Sequence, residues 1–336
     1  MKTLQILLLI LAVNAFSQNI TTMTLLKDKI SIRAVQVVDG KVWYSGTDAK
    51  FGYVGLKDTL DKKQICISEK PLQFRTLAHS GNYFYLINVE SPAYFYKVNK
   101  HNFETTILHT DTHENAFYDA LYFHKKKFYS FSDPESDLKL KLASFYEKKG
   151  NFQLEFINNL SLKEGEAAFA ASNTNISGWK NKLWTATGGK ASRILVVELK
   201  TNSARAVETP FVQGSSSQGI YSVDFYKDHF GIAVGGDYTK QAENTNNIAT
   251  TTDGGETWQI QASGKNGGYK TCVKIRPGSR GKEIIAIGDR NIEFSKDYGK
   301  TWRKISDEKG MYACAWSGRN TIVLAGKERI LRMDFN

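Results

Sequence analysis

Short alternating apolar runs recur along this chain in pairs. The first run of each pair opens on or around a distinctive residue: SIRAVQV at Arg33, QFRTLAH at Arg75, FYDALYF at Asp119, EAAFAAS at Phe169, IYSVDFY at Ser222, YKTCVKI at Thr271 and YACAWSG at Ala313. The second run follows a turn and ends near Gly or Asp: KVWYSGTD, NYFYLINV, KFYSFSDP, KLWTATGG, FGIAVGGD, EIIAIGD and TIVLAG. A period of two with aromatic and β-branched residues predicts strands, because alternate side chains then share one face. The spacing between pairs, 42 to 53 residues, matches the four antiparallel strands of a propeller blade. Seven pairs predict an all-β, seven-bladed β-propeller with four-stranded blades. The last pair has room for only three strands before Asn336, while Thr21 to Leu26 forms an extra strand-like segment ahead of the first. The N-terminal strand is therefore expected to close the ring, which removes exposed sheet edges.

Two eight-residue copies, TTDGGETW at Thr251 to Trp258 and SKDYGKTW at Ser295 to Trp302, lie 44 positions apart. Asp253 and Asp297 can accept backbone N–H bonds inside a tight turn, Gly255 and Gly299 allow positive φ, and Trp258 and Trp302 open the next strand and pack between sheets. The pattern holds a hairpin and is structural. Each copy resembles the Asp-box, S/T-x-D-x-G-x-T-W, of BNR-repeat propellers. More widely the chain resembles exported seven-bladed propellers related to the Ycf48-type, photosystem II stability/assembly factor-like proteins. The segments that carry this resemblance include SPAY at Ser91 to Tyr94, FSDP at Phe131 to Pro134, GEAAFAASNTNI at Gly165 to Ile176, GGKASR at Gly188 to Arg193 and GGDY at Gly235 to Tyr238. The resemblance implies a propeller fold. Members are often labelled "oxidoreductase", yet no G-x-G-x-x-G opens a helix here and neither C-x-x-C nor a P-loop is present, so no cofactor is expected. The histidines show no metal-ligand spacing, and no metal is expected.

The N-terminus changes the expected location. Lys2 precedes an apolar run from Leu4 to Val13, and Ala15-Phe16-Ser17 before Gln18 has the small-x-small form of a signal-peptidase site. Residues 1–17 are expected to be a signal peptide and residues 18–336 a single propeller domain, soluble in the periplasm or secreted and monomeric. The apolar run is too short to span a bilayer. The formal charge of +11 comes from lysines spread along the chain, and the densest run, Lys125 to Lys127, falls where a hairpin turn is expected. Nucleic acid is therefore rejected as the main ligand.

In a four-stranded blade the start of the inner strand and the end of the second strand lie at one end of the sheet. One mouth of the channel should then gather Arg33, Arg75, Asp119, Glu166 and Ser222 with Asp48, Asp133, Arg193, Asp237, Tyr238 and Asp289. Two readings compete: a binding site for a protein partner, glycan or small anionic ligand, with Arg33, Arg75, Asp119, Glu166, Arg193, Asp237 and Tyr238 as the binding residues, and a structural ion-pair network. The enzymatic alternative is a sialidase-like glycosidase, with arginines gripping a carboxylate and Tyr238 assisted by Glu166 as nucleophile. The R-I-P signature of that family is missing, since Ala34-Val35 follows Arg33. A non-catalytic scaffold of the cell envelope is the leading expectation. Cys272 and Cys314 occupy matching places in neighbouring inner strands, so they should point the same way round the ring and remain two buried thiols, with Cys66 a small apolar strand residue.

Overall fold

The computed structural model describes residues 19–336; the expected signal peptide lies outside the described residues. Every regular element among them is a strand, and all named strand pairs are antiparallel. No helix among these residues is long and apolar enough to cross a membrane.

The strands form six sheets, so the propeller has six blades and not the expected seven. In chain order the second sheet begins at Ala78–Ser80, the third at Tyr122–His124, the fourth at Ile176–Trp179 and the sixth at Cys272–Ile275, and each of these has four strands. The first and fifth sheets have six, which also departs from uniform four-stranded blades. The count fails for a physical reason. The N-terminal strand, Ile20–Val38, runs unbroken for 19 residues. Its first part pairs with the end of Thr321–Phe335, and its second part pairs with Lys41–Gly46. One continuous strand thus fuses the last run pair and the first into a single sheet. It also ties the two ends of the described chain together, from Ile20 opposite Phe335 to Ser31 opposite Lys327.

The fifth sheet departs for a different reason. Glu166–Ala167 and Gly188–Gly189 add to the inner edge of the sheet that begins at Gln218–Tyr226, while the EAAFAAS run expected as an inner strand leaves the sheet altogether after Ala167. Within the unpaired stretch that follows, Asn173 takes φ 60°, and regular structure resumes at Ile176.

Aromatic layers fill the seams between sheets. Trp43 and Phe51 of the first sheet meet Phe84 of the second, with the Trp43 and Phe84 rings 4.5 Å apart. Phe95 of the second meets Tyr118 and Phe145 before and within the third. Trp184 of the fourth stacks on Phe225 of the fifth at 3.8 Å and donates its indole N–H to the Gly254 carbonyl at 2.8 Å. Each such ring contributes ~1.5–3 kcal/mol of apolar burial. Trp179, by contrast, is exposed and packs no seam.

Both eight-residue repeats connect the outer two strands of their sheets. Asp253 Oδ1 accepts from the Glu256 and Thr257 amides at 3.0 Å each, and its Oδ2 accepts from the Thr257 hydroxyl at 2.6 Å. Asp297 makes the same bonds to Thr301, at 2.9 and 2.6 Å. Gly255 and Gly299 take φ of 90° and 81°. Lys125 and Lys126 sit in a hairpin turn with positive φ, as their sequence context predicts.

Candidate functional site

The segment Phe169 to Asn175, which belongs to no strand, positions the site. The Ala171 carbonyl accepts from Arg33 Nη1 at 3.2 Å, and the Ala170 carbonyl accepts from Arg75 Nη1 at 3.5 Å. Asn173 accepts from the Leu121 amide at 2.7 Å and donates to the Leu77 carbonyl at 2.8 Å. Ser172 donates to the Thr271 carbonyl at 2.7 Å, and Thr174 shares a 2.7 Å hydroxyl contact with Ser222. These partners lie on, or just ahead of, strands of five different sheets. A single short segment can reach all five only from the centre of the ring, so it plugs the channel. Small side chains at Ala170, Ala171 and Ser172 let it pass between the inner strands.

Above this plug lies a cleft of ≈ 330 Å³, lined by Arg33, Arg75, Tyr221, Tyr238, Tyr269 and Asp289 among others. Its walls are aromatic: Phe169 and Tyr221 stack face to face at 3.8 Å, and Tyr269 meets Tyr221 edge-on at 4.9 Å. Burial pushes the phenols of Tyr221 and Tyr269 up, so both remain neutral. A larger cleft of ≈ 470 Å³ runs along the outer rim between the two repeats, beside Tyr226, His229, Arg280, Tyr298 and Lys300. The channel cleft is the better candidate because charged groups from separate sheets converge there.

Its arginines lack acidic partners. Arg33 lies over the Tyr312 ring, its guanidinium carbon 4.1 Å from the centroid, and otherwise contacts only the Ala171 carbonyl. Arg75 is held by carbonyls of Ala170 and of the Gln73 side chain, the latter at 3.1 Å. Neither makes an ion pair among the described residues. Burial, and then the like charge of Arg33, push the Arg75 guanidinium down. Two forks of donors are thus close enough to repel each other, and the charges of Glu90 and Asp119 oppose that repulsion only from beyond ion-pair distance.

Asp119 and Asp133 do not neutralise this pair. Asp119 is wholly buried and its carboxyl oxygens have no partner in hydrogen-bonding geometry, although the Ala170 N–H faces it. Burial, then the charge of Asp133, push Asp119 well above the usual carboxylate range, with Arg75 only partly opposing. Burial pushes Asp133 up to about 6. Both shifts run upward, so the two carboxyls form a protonatable pair below the cleft.

The remaining predicted residues divide. Glu166 does not line the cleft. It is buried in a fork with Arg193, whose Nη2 lies 2.6 Å from Oε2 and whose Nε lies 3.0 Å from Oε1. Glu166 also accepts from the Thr187 hydroxyl at 2.6 Å and the Lys163 amide at 2.8 Å, which occupies its acceptor sites. Asp237 is buried beside Thr239, whose hydroxyl and amide it accepts at 2.6 and 2.9 Å. Burial raises its carboxyl, but those bonds hold it below the usual range. Tyr238 lines the cleft and is 51% exposed. Asp289 lines it too, accepting from Gln241 at 3.1 Å. Asp48 is exposed in a turn with φ 59°. Among the described residues no group of three or more His, Cys, Asp or Glu side chains could hold a metal ion.

Tyr221, Tyr269, Gln241 and the plug itself escaped the sequence reading. Tyr269 could have been found, since it stands two residues before Thr271, but nothing in the alternation of EAAFAAS reveals a channel-crossing segment.

No family model matches the sequence, and no curated protein matches it. Solved structures match in shape. A structure described as "YCF48 bound to D1 peptide" aligns with a TM-score of 0.66 at 11% identity over 94% of this chain and 97% of that one. The structure of U3-55K aligns with a TM-score of 0.66 at 13% identity, over 94% and 98%. The WD40 propeller domain of Doa1 aligns at 0.65 and 14%, over 94% and 96%. At these identities the likeness establishes the β-propeller fold alone.

Proposed function

We propose that this chain is a non-catalytic binding or assembly protein of the cell envelope, exported by its N-terminal segment, which captures an anionic group of a protein or peptide partner at the channel cleft. The observation that carries this reading is the Arg33 and Arg75 pair, half-buried, mutually repelling and without a carboxylate partner. A carboxylate placed between the two forks would relieve the repulsion and receive directional donors that lysine could not supply equivalently. The aromatic walls add apolar area beside the charge. Propellers of this shape include one with a peptide bound, which fits a binding role.

Glycoside hydrolysis is the weaker reading. It needs a carboxylate to assist Tyr238, and Glu166 is committed to Arg193, Thr187 and Lys163. The binding reading is tested with fluorescent peptides of mixed sequence carrying several carboxylates, and with amidated counterparts. The carboxylated set should bind the wild-type protein and not Arg33→Ala/Arg75→Ala, while the melting temperature of the double variant stays within a few degrees. A variant that loses stability and retains capture would assign the arginines to holding the plug. Equal binding of amidated peptides would remove the anion from the argument.

A further inference from the structure

Cys272 and Cys314 stand on the inner strands of neighbouring sheets, Cys272–Ile275 and Met311–Trp316. Both are free and buried, and their sulfurs lie 3.5 Å apart. They face each other, contrary to the expectation that equivalent positions point the same way. The two positions are not equivalent. Cys272 lies opposite Ile287, one residue before Gly288, whereas Cys314 lies opposite Leu324, two residues before Gly326. Counted from those glycines, Cys272 matches Ala313, opposite Ala325, and Cys314 stands one residue further along, and one residue turns a strand side chain to the other face.

The surroundings of the pair are polar on one side. The Thr174 hydroxyl of the channel plug lies 3.6 Å from Cys272 Sγ, placed to donate to it, and Thr174 in turn contacts Ser172 and Ser222. Lys274, two residues along the same strand, keeps its side chain 26% exposed and lies 3.9 Å from Asp224. The Thr271 hydroxyl donates to the Tyr312 carbonyl at 2.8 Å, which ties the two strands together beside the thiols.

We infer that Cys272 and Cys314 form a redox-active dithiol that closes to a disulfide joining the sixth sheet to the first, with hydrogen peroxide as oxidant. Bonding requires the sulfurs to approach from 3.5 Å to ~2.05 Å. Cys272 is the attacking sulfur. Burial pushes its thiol up, but the Cys314 thiol, the Lys274 charge and Thr174 together bring it down to about 6, and Cys314 is pushed well above its ordinary value by burial and by Cys272. The Cys272 thiolate attacks one peroxide oxygen, the O–O bond breaks, and the departing hydroxide is protonated to water, leaving a sulfenic acid. The Cys314 sulfur then attacks the Cys272 sulfur, its proton leaves with the sulfenic hydroxyl as a second water, and the S–S bond forms. Two thiols lose two electrons and two protons, and the peroxide is reduced to two waters. Both sulfurs are buried, which excludes a protein thiol–disulfide partner.

The test uses the folded, full-length protein exposed to hydrogen peroxide and then to a blocking alkylator. Beyond the alkyl group added at the exposed Cys66, intact mass should fall by two hydrogens, and a non-reducing peptide map should join the peptides of Cys272 and Cys314. A dithiol reductant should reverse both changes. Cys66→Ser, which removes an exposed thiol at the end of its strand, should leave the reaction unchanged, whereas Cys314→Ser should abolish the cross-link and add oxygen at Cys272 instead. Oxygen additions on the wild-type cysteines without a cross-link, or a bridge formed only in urea or through Cys66, would overturn the inference. The wild-type experiment decides even if the serine variant fails to fold.

Discussion

Removing the Asp253 carboxylate should destabilise the protein by ~2 kcal/mol, and the structure shows where that figure arises. The side chain accepts four hydrogen bonds: from the Thr251 hydroxyl at 2.7 Å, the Glu256 and Thr257 amides at 3.0 Å, and the Thr257 hydroxyl at 2.6 Å. A bond to a charged acceptor is worth ~1.5–3 kcal/mol when shielded, but Glu256 and Thr257 are exposed and water replaces much of what alanine removes, so ~0.5 kcal/mol per bond is the appropriate scale. Asp297 accepts three such bonds, from the Ser295 hydroxyl, the Thr301 amide and the Thr301 hydroxyl, so Asp297→Ala should cost less, ~1.5 kcal/mol. Urea denaturation should show both shifts as lower midpoints with unchanged slopes. The pH dependence provides a second check. Burial raises the Asp253 carboxyl, but Thr257, Thr251 and Glu256 bring it down to about 2. A depressed carboxyl contributes stability above its unfolded value, near 4, and loses it as pH falls through about 2. The wild-type advantage over Asp253→Ala should therefore shrink between those limits. A variant as stable as wild type at neutral pH refutes the reasoning, and unchanged stability with lost ligand capture would move the turn into the binding site.

Two further outcomes follow from buried charge. Glu166→Gln should lower stability by ~3–5 kcal/mol in urea denaturation, because Arg193 is left buried without its counter-charge, and Arg193→Ala should do the same from the other side. The Asp119 and Asp133 carboxyls are raised in the folded state, so their contribution is fully present at low pH and is lost as pH rises through about 6, the value of Asp133. Melting temperature should accordingly decline as pH rises from about 4, the unfolded value, through about 6, and Asp119→Asn should flatten that decline without raising stability at pH 4; an unaltered slope would show that another group is titrating.

Strand content and the repeat turns could be read from the sequence because both are local. Period-two alternation marks a strand wherever one face is buried, and the Asp253 and Asp297 turns close within a few residues of each carboxylate. What could not be read is long-range or parity-dependent. Counting run pairs gave seven because it treats each pair as a separate sheet, whereas Ile20–Val38 crosses from one set of partners to the next without a break. Arg33 and Arg75 both line the channel cleft, and their positions follow from where inner strands begin. Their true partners, the Ala170 and Ala171 carbonyls, lie 95 and 138 residues away on a segment whose apolar pattern imitates a strand. Glu166 was assigned to the same mouth and instead faces Arg193 from the inner edge of the fifth sheet. The cysteines show most sharply how parity defeats a pattern. Aligning the two inner strands by their apolar residues puts Cys272 and Cys314 in register, and strand geometry then turns their sulfurs in the same sense round the ring. The ladders match them differently, with Cys272 pairing one residue before Gly288 and Cys314 two before Gly326, which reverses the sense of the second sulfur. Apolar periodicity alone does not fix that offset of one, and two thiols that symmetry would separate come into contact.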